Sequence, residues 1–229
     1  MAASDDDLDA LGEYALRYVK AGYKLGLGTG HAASAFIRAL GKSGMKVRGV
    51  PTSSGSEKLA RECGIEVVSL ADVDRLDVAI DGADEVDPRL NLIKGYGGAL
   101  VREKIVAESA RKFVVVVGSE KIVKKLGQRG RLPVEVVPFA APLCARMIKA
   151  LGLKPKTRLN DDGSKFLSDN GNLIFDCELK PIANPARLDR ELLSIPGVVG
   201  AGLFIAIADR VLIAEGGGKI RVLNRAKPG

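Results

Sequence analysis

The sequence predicts an α/β protein: a parallel sheet covered by helices on both faces, followed by a second, smaller α+β unit. Two observations carry this. Continuous apolar, β-branched runs such as Lys112-Phe-Val-Val-Val-Val117 alternate with amphipathic helical segments, the pattern expected of strands buried on both faces. Around Leu132-Pro133 the pattern changes to short strands interleaved with two helices, as in a split βαβ unit of the ferredoxin-like kind. The expected division is residues 1–130 with 207–229 for the larger domain and 131–206 for the smaller.

The elements follow in order. Ser4, with Asp7 three residues on, reads as an N-cap with an acidic first turn, opening a helix to about Val19 with Leu8, Leu11, Ala15 and Val19 on one face. Lys24-Leu-Gly-Leu-Gly28 reads as a strand running into a glycine turn. A helix is expected over His31–Leu40, a strand over Lys46–Pro51, a helix over Ser54–Cys63, and strands over Glu66–Ser69 and Asp77–Asp81. A helix from about Leu100 to Ala110 precedes the Lys112 strand. In the smaller unit, Pro133–Pro138 is a strand, a helix runs to Ala150, short strands lead to Cys177, and a helix spans about Pro185–Leu193. Val198–Ala208 is read as a further strand, and Arg210–Ala214 as one returning to the first sheet.

Composition narrows the function. The longest apolar run, Leu203–Ala208, has six residues, far short of the roughly 20 that a membrane span needs. The start is acidic at Asp5, Asp6, Asp7 and Asp9 rather than basic, so the cytoplasm is expected. Cys63, Cys144 and Cys177 are odd in number and widely spaced, with one histidine in the chain, which argues against a disulfide framework and a zinc site. The net charge of +7 comes from 35 basic residues dispersed among 28 acids, with Lys121–Arg131 the one basic cluster. Aromatics at 4% and the absence of tryptophan leave no stacking platform for single strands, so nucleic acid is not the expected partner. The basic cluster is a solvated face or a site for a small anion.

In a parallel sheet, ligands bind beyond the carboxyl ends of the strands, which directs attention to the residues after each apolar run. Gly28-Thr-Gly-His-Ala-Ala33 has the glycine spacing of a turn that opens a helix whose N–H groups could cradle phosphate. No acid stands about twenty residues on, where a dinucleotide's ribose would need one. Asp81-Gly-Ala-Asp-Glu-Val-Asp87 places four carboxylates in seven residues at a strand end. Glu85 and Asp87 are read as solvated turn caps. Asp81 and Asp84 stand beside the apolar run, where burial is costly unless a partner or ligand needs the charge. Lys94, in Lys-Gly-Tyr-Gly-Gly98, suits a cation brought to a substrate by a bare backbone, and Glu103 falls in the first turn of the next helix, where the dipole favours an acid.

Together these motifs resemble the type A ribose-5-phosphate isomerases over nearly the whole chain. The likeness rests on Gly28-Thr-Gly30, Asp81-Gly-Ala-Asp-Glu85, Lys94-Gly-x-Gly-Gly-Ala-Leu-x-Arg-Glu-Lys-Ile-Val106 and Ser119-Glu-Lys121. Pro133-Val-Glu-Val136, Asp169-Asn-Gly-Asn172 and Ile195-Pro-Gly-Val-Val199 also match. The resemblance implies a Rossmann-like domain bearing a smaller lid, and interconversion of ribose 5-phosphate and ribulose 5-phosphate without metal or cofactor. It implies a homodimer or homotetramer. By the same resemblance Glu103 is the general base, Asp81 shuttles hydroxyl protons, Asp84 supports the sugar hydroxyls, and Lys94 faces the developing enediolate oxygen. Substrate binding falls to Gly28, Thr29, Gly30, His31, Ala32 and Lys121, with Gly82, Ala83, Gly95, Tyr96 and Gly97. The sequence departs from the family's usual loop at His31 and Ala32, where two hydroxyls are common, and at Tyr96, where glycine is frequent. A deaminase or coenzyme A transferase on the same architecture, and a non-catalytic sugar-phosphate binder, are the alternative readings.

Overall fold

The structure is a computed structural model that describes residues 3–226. In chain order its helices and strands are α1 Asp5–Ala15, β1 Lys24–Leu27, α2 His31–Ser43, β2 Arg48–Pro51, α3 Ser54–Glu62, β3 Glu66–Val67 and β4 Val78–Asp81. Then come β5 Glu85–Val86, β6 Leu92–Ile93, α4 Leu100–Glu108, β7 Phe113–Gly118, β8 Arg131–Val136, α5 Ala141–Ala150, β9 Lys154–Thr157 and β10 Leu173–Glu178. The last are α6 Pro185–Leu193, β11 Val198–Ala201, β12 Leu203–Phe204, β13 Arg210–Ala214 and β14 Ile220–Asn224. They group into two compact units. The first comprises the chain up to Ala83, Arg102–Ile122 and the chain from Ala206; the second comprises Asp84–Val101 and Val123–Ile205.

The first unit is built on a seven-stranded sheet of order β14-β13-β7-β4-β1-β2-β3. Every neighbouring pair is parallel except β13 with β14. The central strands are apolar at their buried positions, Val114, Val115, Val116 and Val117 among them, except for Asp81 at the end of β4, because helices cover both faces. The Ser4 capping box forms as the sequence predicts, its hydroxyl accepting from Asp7 N–H, and α1 buries Leu11 and Ala15 in a core shared with Phe36, Ile37 and Leu40 of α2. From β1 the chain winds outward through β2 to β3, then returns to β4 on the other side of β1 and winds the opposite way. The strand order therefore reverses between β1 and β4, and in such sheets the crevice for a ligand opens there, beyond the carboxyl ends.

The second unit contains a four-stranded antiparallel sheet of order β11-β8-β10-β9. With α5 between β8 and β9 and α6 between β10 and β11, this is the ferredoxin-like arrangement expected from the short-strand pattern. Leu132, Val134 and Val136 of β8 alternate onto the face that packs with Cys144 and Ile148 of α5 and Leu192 of α6. A three-stranded sheet, β12-β6-β5, belongs to the same unit. The expected single strand Val198–Ala208 is thus two short strands: β11 pairs with β8 and β12 with β6. The Gly216-Gly-Gly218 stretch turns the chain into β14, an edge strand with no counterpart in the sequence reading.

Candidate active site

In the first unit, Gly28 follows β1 directly and its N–H donates to Ile80 O at 3.0 Å, tying the loop to β4. At the end of β4, Asp81 is only 3% exposed. Its Oδ1 accepts from Thr29 N–H at 2.9 Å and from its neighbour Gly82 N–H at 2.7 Å. A Cβ at position 28 would collide with this carboxylate, so the close approach of loop and acid requires glycine there. The Thr29 hydroxyl donates to Ser53 Oγ at 2.8 Å and shares a hydrogen bond of 2.7 Å with Thr52 Oγ1. Thr52 and Ser53 were not assigned by the sequence reading, although they follow β2; the third strand end contributes through them.

Beyond this anchor the loop becomes the start of α2. Gly30 is the N-cap residue, at φ 100°, and no side chain caps the helix. The first-turn N–H groups of a helix have no intrahelical acceptor, so the turn at His31, Ala32 and Ala33 presents donors together with the positive end of the dipole. Gly28 and Thr29 do not share in this, since their N–H groups are committed to Ile80 and Asp81. His31 is exposed and is one of the residues lining a surface recess of about 330 Å³ with Asp5, Asp9 and Arg38.

Glu103 lies in the first turn of α4, as predicted, and is 5% exposed. Gly26 lets Val106 of α4 lie directly on β1. Glu103 is one turn earlier on the same helix face. Because a helix connecting parallel strands β4 and β7 runs back against them, its first turn is at their carboxyl-terminal edge, the edge that also carries Gly28 and Asp81. Lys121 ends the 3-10 turn Ser119–Lys121 that follows β7, and is half-buried.

In the second unit, Lys94 follows β6, is 2% exposed, and holds its Nζ 5.6 Å from the centroid of the Phe204 ring. Asp84 accepts from Tyr96 N–H at 3.0 Å. The Tyr96 ring stacks on the Arg131 guanidinium at 4.0 Å, and its hydroxyl donates to Arg131 O at 3.2 Å. Burial first, then the negative charges of Glu85 and Asp84, push the Tyr96 phenol up to about 12. Glu85 is not the solvated cap the sequence suggested. It is fully buried, and its two carboxylate oxygens each accept a backbone N–H at 2.6 Å, from Gly127 and from Arg129. Asp87 does cap its turn, accepting from Arg89 N–H and Asn91 N–H at 2.8 Å each, but at 9% exposure it too is buried.

Residues 48–218 match the family model of ribose 5-phosphate isomerase A (phosphoriboisomerase A). The chain is 49% identical over 218 residues to the ribose-5-phosphate isomerase A of Roseiflexus sp. (strain RS-1), covering 92% of this chain and 93% of that protein. The chain belongs to the ribose 5-phosphate isomerase A family. Two solved isomerases are similar throughout. That of Methanocaldococcus jannaschii is 39% identical with a TM-score of 0.90, over 96% of this chain and 100% of the other. A D-ribose-5-phosphate isomerase in complex with phospho-erythronic acid is 37% identical with a TM-score of 0.92, over 96% and 98%.

The isomerase is thus the aldose–ketose isomerase of the pentose phosphate pathway, acting on a sugar phosphate, and the deaminase, transferase and sensor readings fall away. Among the described residues no helix is long and apolar enough to cross a membrane. Of the two departures from the family's usual loops, Tyr96 directs its ring to Arg131, and His31 keeps its N–H in the first turn of α2 beside the recess it lines with Asp5 and Asp9.

Proposed function

We propose that the isomerase works through an enediolate, with Glu103, Asp81, Asp84 and Lys94 in separate roles. The observation that carries the reading is Asp81: a buried carboxylate at the strand-order reversal, aimed by two N–H groups and bonded to the same glycine loop that opens α2. The helix start takes the 5-phosphate through the N–H groups of His31, Ala32 and Ala33, helped by the Lys121 ammonium. Asp81 accepts the proton of the C1 hydroxyl as the sugar opens and delivers it to the ring oxygen released when the C1–O bond breaks, which returns the carboxylate to its ionised form. Glu103, buried in the first turn of α4, removes the C2 proton, and the electron pair moves into a C1–C2 double bond with negative charge on O1. Lys94 offsets that charge. Asp81 then moves the proton from O2 to O1, Glu103 returns its proton to C1, and ribulose 5-phosphate results. Asp84 supports the sugar hydroxyls, with Gly82, Ala83, Gly95 and Gly97 providing bare backbone around them.

The bound phospho-erythronic acid of the related structure supports this reading, since a carboxylate on a phosphorylated four-carbon chain resembles the enediolate in charge. Isomerisation in deuterium oxide with chelator present tests it: deuterium at C1 of the product is expected. Complete retention of the C2 hydrogen at every extent of reaction, as in a hydride shift, would sink it. On family resemblance we also place the enzyme in the cytoplasm as a homodimer or homotetramer; a monomeric mass by light scattering at micromolar concentration would count against the oligomer.

A further inference from the structure

The loop that carries Lys94 is intrinsically loose. Gly95 and Gly98 both occupy left-handed backbone, at φ 101° and 89°, and glycines lose more conformational freedom on ordering than any other residue. Yet Lys94 must be held to act as a fixed positive charge. Its own N–H is tied to Gly202 O at 2.9 Å, and Tyr96 N–H to Asp84 at 3.0 Å. Gly98 N–H closes the turn onto Gly95 O at 3.0 Å, and one side chain joins both carbonyls of the next two residues to the rest of the unit: Arg158 Nη1 donates to Gly95 O at 3.1 Å and to Tyr96 O at 3.0 Å.

Arg158 is in turn fixed. It follows β9 directly, and its Nε and Nη2 donate to the two carboxylate oxygens of Asp176 on β10 at 2.9 and 2.6 Å. Both side chains are largely buried, at 11% and 17% exposure. A planar guanidinium with donors on three nitrogens can hold a carboxylate on one edge and present a third nitrogen elsewhere, which a lysine cannot reproduce. Asp176 also lies 3.6 Å from Arg131 Nε, and Arg131 stacks on Tyr96. One carboxylate therefore orients two arginines, and both hold the Lys94 loop.

We propose that Arg158, aligned by Asp176, is a positioning residue for Lys94: it fixes the Gly95–Tyr96 backbone so that the ammonium is presented in one place. The inference rests on the role given to Lys94 above. A purely structural Arg158 would affect stability alone, whereas a positioning one affects the turnover step, because a small misplacement of a catalytic group costs rate more than binding.

The test compares R158A, K94M and the double variant with the wild type, each after a thermal melt establishes that it is folded. For R158A, kcat should fall by about 10–100-fold with KM within about 3-fold. In the K94M background the same change should cost less than about 3-fold, because two residues acting through one interaction do not add. Added guanidinium at non-denaturing concentration should restore part of the R158A rate, the reverse of its effect on a merely destabilised protein. If R158A does not fold, R158Q, which keeps a shorter donor, is read by the same criteria. Wild-type kcat in the folded variant, or an equal loss in both backgrounds, overturns the proposal. K94M at the wild-type rate would instead overturn the role of Lys94 itself, so the two failures are distinguishable.

Discussion

The N–H of Thr29 donates to the carboxylate of Asp81 across 2.9 Å, and this bond joins the glycine loop after β1 to the end of β4 where the strand order reverses. The loop and the acid are therefore one structure. Their contact is possible because residue 28 has no side chain.

Gly28→Ala should accordingly damage both. The added methyl meets the Asp81 carboxylate and its Cα, and overpacking of this kind costs about 1–3 kcal/mol. Displacing Asp81 should lower kcat by at least about 10-fold, since about 1 Å of misplacement can cost 10²-fold. Thermal melting and steady-state kinetics check the two effects; a variant with wild-type melting and turnover would show that the loop can shift without moving the acid.

Glu103→Gln preserves shape and hydrogen bonding while removing the ability to accept a proton. The expected outcome is a fall in kcat of about 10²–10⁴-fold with a far smaller change in KM. The variant's fold is checked by melting first, because a buried charge has been removed. Should the folded protein still exchange the C2 proton with solvent at the wild-type rate, the base is another residue and Asp81 is the next candidate.

His31→Ser restores the hydroxyl common in the family. Because the backbone N–H at position 31 is retained, KM for ribose 5-phosphate should change only a few-fold, the scale of one neutral hydrogen bond at about 0.5–1.5 kcal/mol. A change approaching a thousand-fold would reveal a direct role for the ring.

The parts of this design that are local in the chain were legible in the sequence. The Ser4 cap, the β-branched β7 and the Gly28 turn each declare themselves within a few residues, as does the position of Glu103 in the first turn of α4. What escaped was set by partners distant in the chain. β5 and β6 are two residues each and exist because β12, over a hundred positions later, pairs with β6, and no period-2 pattern is visible in so short a piece. Glu85 was read as solvated because its acceptance of Gly127 and Arg129 N–H depends on a loop some forty residues away. Gly28 and Thr29 are expected among the substrate-binding residues, but their N–H groups are taken by Ile80 and Asp81, a commitment visible only once β1 and β4 are neighbours.

Tyr96 supplies a prediction on stability rather than rate. Its phenol is raised from 10.0 to about 12, chiefly by burial and then by the charges of Glu85 and Asp84. In the unfolded chain the phenol ionises near pH 10, while in the folded protein it remains protonated to about pH 12. The unfolded state therefore binds fewer protons across that interval, and stability falls as pH rises. The contribution of Tyr96 is fully present below pH 10 and lost progressively between pH 10 and 12. Tyr96→Phe cannot titrate, so it should be slightly less stable than wild type at neutral pH, having lost the hydrogen bond to Arg131 O, yet its melting temperature should decline less steeply through the alkaline window. Other groups titrate there in both proteins, so the quantity to follow is the difference between the two melting curves from pH 9 to pH 12. Parallel curves would show that the phenol ionises equally in both states, and that burial beside Glu85 and Asp84 does not hold its proton as described.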